Sequence, residues 1–446
     1  MLFLFKWDTD YKKDLTVTAL TFTLLFYSIS TWNTGYDLIA LMIESGIIFV
    51  MIGTELSILP VDYRPSYNGV VYSTQTSKHI AYDELSFLMS DVHPAMVEEQ
   101  LGFKAPLNIK DLCAESALCS DKVNDILMLK ENMPFAENKG ETNYIRSRHQ
   151  IRYIAIRVAN KRQHTTNGVK LALDGLADGL IGDKPLRVRK SYYFDALLTA
   201  EAFRSRIFRN NITREKEVYT DLTTYFPAEL KNENGTDTLR LTPDFFSRVS
   251  GHIGITTLLI TENNRVAMLH QGDSKAIGSR TVTLGGSGSM NYNDMFFDKD
   301  KKDLRKAITH AMARELCEET GMRAQLNDAR QNTLVTGFFR WIDRCGKPEF
   351  TGITRSGSIP FSAKATIDGD EVIKFDEIPI TLQSLDDFNK VLAYVRDHAI
   401  ALSLSSLMAL HRMTVIAGYN SPQATPEQKR IYVQMADFLF GASRLI

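Results

Sequence analysis

The chain has 446 residues, of which 44% are hydrophobic and 24% are charged, as is usual for a globular protein with a hydrophobic core. Its 52 Lys and Arg and 53 Asp and Glu give a formal net charge of −1 at pH 7. These values exclude a disordered chain, a coiled-coil rod, a polytopic transporter and a wholly basic nucleic-acid-binding protein. The four cysteines are too few and too widely spaced for a disulfide framework, and they fit a reducing cytosol.

Two nearly uncharged stretches near the N-terminus predict a transmembrane hairpin. Residues 15–36 have no charged side chain, and residues 38–54 have one, Glu44. About 20 apolar helical residues cross a bilayer core of about 30 Å, so the first stretch is long enough and the second is short. Three lysines precede the first stretch, and the connection between the two contains no Lys or Arg. The positive-inside bias therefore predicts two spans with both termini in the cytoplasm. A helical hairpin buried in a soluble core is the alternative.

Glu44 lies near the middle of the second stretch. An ionisable group at bilayer depth usually faces a partner or a water-filled lumen, so we expect Glu44 to face other subunits of a homo-oligomer. In an interfacial or soluble hairpin, Glu44 would simply point to water. We assign the hairpin to residues 1–62, an α/β middle segment to residues 63–245 and a C-terminal domain to residues 246–446.

The middle segment is strongly basic over part of its length. Residues 146–214 contain fifteen Lys or Arg against five Asp or Glu, an excess of ten positive charges. Aromatic residues are interleaved with these cations, as on surfaces that bind nucleotides. Arg187, Arg189 and Lys190 are our candidate phosphate contacts. Attraction to anionic lipid at the cytoplasmic leaflet and plain solvation remain alternatives.

The C-terminal domain has the pattern of an α+β fold. Residues 252–260 and 265–271, with an Asn-rich turn at residues 261–264 between them, are predicted to form a β-hairpin. A Gly-rich stretch follows the hairpin, and a helix is predicted over residues 303–320.

Three carboxylates crowd one face of the first of these helices. Glu318 and Glu319 follow Glu315 by three and four residues, so the three side chains lie on one face of the helix. Like charges this close repel one another unless a cation offsets them, and oxygen ligands in this number suit Mg²⁺ or Mn²⁺. Gly286 and Gly288 precede the helix and can bring backbone N–H groups close to a phosphate.

The nine residues that begin at Arg314 resemble the second half of the Nudix box, R-E-U-x-E-E-x-G-U, where U is aliphatic. Every fixed position is matched. The resemblance implies the Nudix fold, an α+β mixed sheet sandwiched by helices, for residues 246–446. This fold would continue through strands near residues 334–341 and 349–354, and C-terminal helices around residues 386–417 and 426–440 would cap it.

The resemblance also implies roles for individual residues. Glu315, Glu318 and Glu319 would be the metal ligands, and Glu315 would be a possible catalytic base. Arg314 would orient these carboxylates, and Gly321 would end the box helix.

The first half of the box departs from the family pattern. Lys306 stands in the glutamate slot and Asp300 in the glycine slot, while residues 290–302 form an insertion after the Gly-rich stretch. Metal binding is compatible with these changes, whereas efficient hydrolysis is disfavoured.

Two short membrane helices before a divergent Nudix domain are similar in architecture to the two-transmembrane Nudix effectors of cyclic-oligonucleotide-based antiphage signalling systems (CBASS). The resemblance implies that a CD-NTase-type cyclase supplies a cyclic oligonucleotide and that the Nudix half senses it. The hairpin would then disrupt the bacterial inner membrane and cause abortive infection.

Two other functions stay open at this point. One is a membrane-anchored, metal-dependent Nudix pyrophosphatase that acts on nucleoside diphosphate derivatives. The other is a scaffold whose basic face holds lipid or nucleic acid. The intact second half of the box favours the pyrophosphatase, whereas Lys306, Asp300 and the insertion disfavour it.

Overall fold

The computed structural model describes residues 66–67, 70–76, 112–113, 117–140, 150, 167–174, 180, 182, 184–210, 216–225, 228–233, 236–241, 249–272, 281–297, 303–357, 359–361 and 372–441. The predicted hairpin within residues 1–62, including Glu44, lies outside these residues. Within the described ranges, no helix combines the length and the apolar character needed to cross a bilayer.

The described strands and helices are numbered here in chain order. The strands are β1 (Ser66–Tyr67), β2 (Val70–Thr76), β3 (Ala117–Cys119), β4 (Phe135–Glu137), β5 (Val169–Leu173), β6 (Leu186–Tyr192), β7 (Ser205–Asn210), β8 (Lys216–Asp221), β9 (Ala228–Glu233), β10 (Thr236–Leu241), β11 (Gly254–Ile260), β12 (Ala267–Gln271), β13 (Val282–Thr283), β14 (Ser287–Ser289), β15 (Thr333–Trp341), β16 (Lys347–Arg355) and β17 (Val372–Glu377). The helices are α1 (Asp121–Leu129), α2 (Tyr193–Ala196), α3 (Leu304–Glu319), α4 (Leu326–Gln331), α5 (Asp387–Asp397), α6 (Leu404–Ala417) and α7 (Pro426–Phe440).

One mixed sheet forms the centre of the C-terminal part, with strand order β14-β11-β16-β15-β3. β11 runs parallel to β16, whereas the other pairings in this sheet are antiparallel. β11 is buried along its whole length, as expected for a central strand that is rich in β-branched and apolar residues. The α+β class with a mixed sheet is therefore confirmed, and the strands predicted at 334–341 and 349–354 correspond to β15 and β16.

Helices cover both faces of this sheet. On one face, Ile308 and Met312 of α3 pack in the same buried cluster as Phe350 of β16. On the other face, Leu407 of α6 packs in a separate cluster with Leu258 of β11. Side chains alternate along a strand, so one sheet can contribute to two cores in this way.

The box helix α3 begins and ends where the sequence predicts. Asp303 caps its N-terminus, and the Asp303 side chain accepts a hydrogen bond from the Arg305 backbone N–H at 3.0 Å. At the other end Gly321 has φ 69°, and the Met322 N–H donates to the Cys317 carbonyl at 2.8 Å. This left-handed glycine and the backward hydrogen bond close the helix end.

The β-hairpin predicted over residues 252–271 forms only near its turn. The Thr261 N–H donates to the Arg265 carbonyl at 2.9 Å, and Ile260 and Val266 form an antiparallel bridge. Beyond this point the two strands part, because β11 joins the central sheet and β12 joins a second sheet in the order β13-β12-β17. The alternation pattern was right about the strands and wrong about their pairing, since distant strands compete for the same backbone groups.

The C-terminal helices predicted around residues 386–417 are α5 and α6, and the chain is not helical between them. The chain turns at Ala399, which has φ 48°. It then runs beside β13, where the Val282 N–H donates to the Ala401 carbonyl at 2.8 Å. A long-range backbone contact therefore interrupts a locally helical sequence.

A third sheet, in the order β4-β6-β5, attaches part of the basic segment to the C-terminal part. The Leu171 N–H of β5 donates to the Met290 carbonyl at 3.0 Å, and the Ile253 N–H donates to the Leu171 carbonyl at 2.9 Å. β3 joins the central sheet beside β15. Strands from both sides of the division predicted at residues 245/246 therefore share backbone hydrogen bonds.

Candidate functional site

The Gly-rich loop lies directly against α3. A Cβ atom added to Gly286 would lie 2.5 Å from the backbone of Leu316, and one added to Gly288 would overlap the carboxylate of Glu315. Gly286 is buried, whereas Gly288 is partly exposed. The glycines allow close packing of loop on helix, and only Gly288 of the two is open to a ligand.

Arg314 contacts three acidic side chains. Its Nε and Nη2 donate to the two oxygens of Asp294 at 3.0 and 2.9 Å. Its Nη1 donates to Glu315 at 2.8 Å and to Glu318 at 3.0 Å. Burial opposes the charge of Arg314, but hydrogen bonds to Asp294 and the fields of the carboxylates hold its pKa above the ordinary value. Arg314 thus fixes the positions of three carboxylates around one guanidinium.

Asp294 belongs to residues 290–302, the stretch that was predicted to be an insertion relative to the Nudix pattern. The insertion contains a 3₁₀ turn, Tyr292–Phe296, and the Asn291 N–H donates to Asp294 Oδ2 at 2.8 Å. The side chain of Asp294 is 4% exposed. The sequence prediction missed this residue, although Asn291 and Asp294 have the spacing of a capping box and could have indicated a turn.

The three glutamates of the box share one helix face, but their oxygens have different partners. Glu315 and Glu318 accept hydrogen bonds from Arg314, whereas Glu319 Oε2 accepts one from the Ser287 N–H at 3.2 Å. In the part of the chain that the structure describes, no group of three or more His, Cys, Asp or Glu is arranged to hold a metal ion. Arg314 thus engages two of the three glutamates, and Mg²⁺ or Mn²⁺ at this face stays a prediction.

Lys170 is a second cation beside the box. It lies on β5 opposite Asn291, and its Nζ donates to Asn291 Oδ1 at 2.8 Å. Burial lowers the pKa of Lys170, and the nearby carboxylate of Glu315 opposes this shift. Burial likewise raises the pKa of Glu315, against the fields of Arg314 and Lys170. In the sequence Lys170 is one of the fifteen cations of residues 146–214, and its place beside the loop depends on the long-range pairing of Lys170 with Asn291.

The candidate phosphate contacts on β6 have different surroundings. Arg187 and Lys190 are exposed. Arg189 is buried and forms an ion pair with Asp174. Arg187 and Lys190 are therefore open to a ligand, whereas the guanidinium of Arg189 is held by a carboxylate of the protein.

Aromatic rings surround Lys190. Its Nζ lies 5.7 Å from the ring centroid of Tyr192 and 5.5 Å from that of Tyr292. The Tyr292 hydroxyl donates to Glu137 Oε1 at 2.6 Å, and this bond is the main cause that raises its pKa to about 12. Phe296 packs edge-on against Tyr292 at 5.3 Å and is 52% exposed. Lys190, Tyr192, Tyr292 and Phe296 thus form a patch of aromatic and basic side chains next to the Gly-rich loop.

A buried group of hydrogen-bonded polar side chains joins β6 to the residues just before β11. His252 Nε2 is 3.0 Å from Ser191 Oγ, and this hydroxyl also donates to Asp195 Oδ2 at 3.0 Å. Burial lowers the pKa of His252 to about 3, and the charges of Lys170 and Lys347 act in the same direction. The imidazole is therefore neutral near pH 7, and it links β6 to the start of β11.

The remaining predicted positions are Lys306, Asp300 and Glu44. Lys306 lies partly buried on α3, so the slot that holds a glutamate in the Nudix pattern is a lysine on the same helix as the three glutamates. Asp300 and Glu44 are outside the described residues.

No protein-family model matches this chain, and no curated protein sequence matches it. Evidence for function therefore comes from the chain's own residues. Three features carry it: the motif that begins at Arg314, the Gly-rich loop that packs on this motif and the basic strand β6 beside the loop.

Proposed function

We propose that this protein is a membrane-embedded antiphage effector that senses a cyclic oligonucleotide through a divergent Nudix-like domain and disrupts the bacterial inner membrane. The proposal includes a Nudix fold for residues 246–446 and a membrane hairpin within residues 1–62. It is supported by the motif that begins at Arg314, which lies on a helix after a Gly-rich loop. That helix packs on a mixed sheet with helices on both faces.

The observation that carries the proposal is the position of β6 beside the box loop. Lys190 of this strand lies between Tyr192 and Tyr292, and Tyr292 belongs to the turn that connects the loop to α3. Phe296, at the end of the same turn, presents an exposed ring. Cations next to exposed aromatic rings bind phosphates and stack on bases, which are the two parts of an oligonucleotide.

Two features favour binding of the ligand over its hydrolysis. Arg314 Nη1 engages oxygens of both Glu315 and Glu318, and these are carboxylates that a hydrolase of this family would use. Lys306 replaces a glutamate of the first half of the box. We infer that the domain binds the cyclic oligonucleotide without efficient turnover.

Ligand binding would act on the membrane by shifting the population of two assemblies. A ligand can shift such an equilibrium only as far as its affinities for the two states differ. In the active state, the hairpins of a homo-oligomer would cluster in the inner membrane with Glu44 facing other subunits. A CD-NTase-type cyclase would supply the ligand without having to bind the protein.

The test is a titration of the purified full-length chain with cyclic di- and trinucleotides. Saturable binding is expected, and a hundredfold excess over Kd should stabilise the fold by about 2.7 kcal/mol. Phe296→Ala should weaken binding by about 1–3 kcal/mol because it removes a stacking surface. The exposed Lys429 on α7 offers a control, Lys429→Ala, that should change nothing. Failure of every cyclic oligonucleotide to bind would contradict the proposal.

The second candidate is the membrane-anchored pyrophosphatase. It is favoured by the three glutamates on one helix face and by the raised pKa of Glu315, which suits a group that exchanges protons. Release of nucleoside monophosphate from a nucleoside diphosphate derivative in Mg²⁺ or Mn²⁺, lost in Glu318→Gln, would place this candidate first.

A further inference from the structure

β17 lies at one edge of the second sheet. The strand order is β13-β12-β17, and among the described residues β17 pairs only with β12. The pairing is regular from Lys374 to Glu377, and its register shifts at Ile373. Ile373 is 59% exposed, which is unusual for a large apolar side chain in this structure. A strand at a sheet edge offers a row of backbone N–H and C=O groups to a further strand.

The hydrogen bonds to β12 show which backbone groups of β17 point outward. The Ile378 N–H, just after the strand, donates to the Val266 carbonyl at 2.9 Å, so these two residues form a hydrogen-bonded pair. Hydrogen-bonded and non-hydrogen-bonded pairs alternate along an antiparallel ladder. Phe375 and Glu377 precede Ile378 by three and one residues, so their backbone groups point away from β12 and toward the open edge.

One face of β17 has charges of both signs. Lys374 and Asp376 are two residues apart and therefore share a face of the sheet. Lys374 Nζ lies 2.5 Å from Asp376 Oδ2, and His270 Nε2 of β12 lies 3.1 Å from the same oxygen. The Lys374 side chain is 62% exposed and that of Asp376 is 34% exposed. Both side chains can therefore reach the corresponding face of a strand added at the edge.

These charges select one register for the pairing of β17 with a second copy of itself. Directly opposed residues lie on the same face, so a two-fold axis between antiparallel copies places one residue opposite itself. With Lys374 at the axis, two ammonium groups oppose each other, and with Asp376 or Glu377 two carboxylates do. With Phe375 at the axis, Lys374 of each copy lies opposite Asp376 of the other. In this register the outward backbone groups of Phe375 bond to their counterparts.

We propose that β17 is a contact between two copies of this chain, which pair antiparallel with Phe375 opposite Phe375. The β13-β12-β17 sheets of the two copies then meet edge to edge. Two short strands bury little surface, so the contact is weak alone and forms chiefly where copies are concentrated. The pairing requires neither the proposed ligand nor the proposed membrane hairpin.

Disulfide formation between full-length chains tests the register. A mixture of Lys374→Cys and Asp376→Cys should give a cross-linked dimer under mild oxidation. Opposed residues of a non-hydrogen-bonded pair have Cα atoms about 4.5 Å apart, which is within reach of a disulfide. Each variant alone should give at least about tenfold less dimer, because equivalent residues of the two copies are then diagonal neighbours about 7–8 Å apart.

Two samples serve as controls for this cross-linking. The unmodified chain gives the background from its own four cysteines. A mixture of Lys429→Cys and Asp437→Cys places the same residue types at exposed positions on α7 and should give no dimer above that background.

A charge exchange tests the contact without new cysteines. Lys374→Asp and Asp376→Lys each place like charges opposite one another, so each should weaken association at least about tenfold. An equal mixture of the two variants should restore association, because their strands then carry opposite charges. Energy transfer between two separately labelled batches of full-length chain measures association, and an unchanged melting temperature shows that each variant is folded.

Three outcomes would overturn the inference. The first is a mixture of Lys374→Cys and Asp376→Cys that gives no dimer above background, which would mean that Lys374 keeps this edge unpaired. The second is Lys374→Cys alone cross-linking as well as the mixture, which would contradict the register. The third is energy transfer that neither charge variant reduces.

Discussion

Asp294 and Arg314 form a bidentate ion pair in which both side chains are shielded from water. The Asp294 side chain is 4% exposed and that of Arg314 is 14% exposed. Such a pair adds little stability compared with an apolar pair of the same volume, but removing one partner leaves a buried charge without its counter-ion. The pair therefore matters most for the position of the guanidinium, which holds Glu315 and Glu318.

The first prediction concerns this pair. Asp294→Asn should reduce the free energy of unfolding by about 3 kcal/mol, because the amide leaves the buried Arg314 without a negative partner in its plane. Denaturation in urea measures the change. Asp328→Asn, at an exposed position on α4, is the matched control. A loss no larger than that of the control would show that the pair does not hold the loop.

The second prediction concerns His252 and pH. Its folded-state pKa of about 3 lies below the ordinary 6.5, so as the pH falls the unfolded chain takes up this proton first. The stability that the neutral imidazole contributes is complete above about pH 6.5 and is lost as the pH falls toward 3, at about 1.4 kcal/mol per pH unit. His252→Gln should remove this slope between roughly pH 4 and pH 6.

Urea denaturation at a series of pH values measures that slope. His398→Gln, at an exposed position after α5, should leave the slope as it is. An unchanged slope in His252→Gln would mean that His252 is not a neutral, buried group in the folded protein.

At the scale of elements, the contact between the Gly-rich loop and α3 decides the shape of the site. Gly286 sits so close to the backbone of Leu316 that no other side chain fits without movement of the loop or the helix. The same close approach brings the Ser287 N–H to Glu319. Gly286 therefore allows the loop to pack directly on the backbone of α3.

The third prediction tests that contact. Gly286→Ala should lower the free energy of unfolding by about 1–3 kcal/mol, because the added methyl group must displace backbone atoms. Thermal unfolding measures the loss. Gly418→Ala is the control, because a Cβ there would meet nothing within 4 Å. Equal stability of the two variants would contradict the packing role of Gly286.

At the scale of the whole molecule, segments distant in sequence share one assembly within the described residues. β3 pairs with β15, and Arg412 of α6 donates to Asp125 of α1 at 2.6 Å. β5 lies beside the box loop. A ligand at the box loop would therefore contact elements from both the basic segment and the C-terminal part.

The fourth prediction concerns the proposed hairpin. Deletion of residues 15–54 should move the protein from the carbonate-resistant membrane pellet to the supernatant and should leave ligand binding intact. In cells with a matching cyclase, the deletion should also abolish depolarisation of the inner membrane, whereas Glu44→Gln should stay in the pellet and test the polar lumen separately. A deletion variant as toxic as the intact chain would place killing in the chemistry of residues 246–446.

Local patterns were sufficient for the elements whose limits depend on neighbouring residues. Asp303 and Gly321 mark the ends of α3 because caps act within one helical turn. The strands β15 and β16 were expected from the resemblance to the Nudix fold rather than from alternation, because both are buried almost throughout and do not show a clear period of two. The break between α5 and α6 was not predictable in this way, because the backbone contact between Val282 and Ala401 joins residues distant in sequence.

The sequence by itself determined the acidic helix face, the glycines before it and the basic character of residues 146–214. These follow from residue types and from spacing along the chain. Only the tertiary structure decided that Asp294 would hold Arg314, that Lys170 would bond to Asn291 and that Arg189 would be paired with Asp174. The physical reason is that a buried charge is stable only beside a partner, and strand pairing between remote segments decides which partner is near.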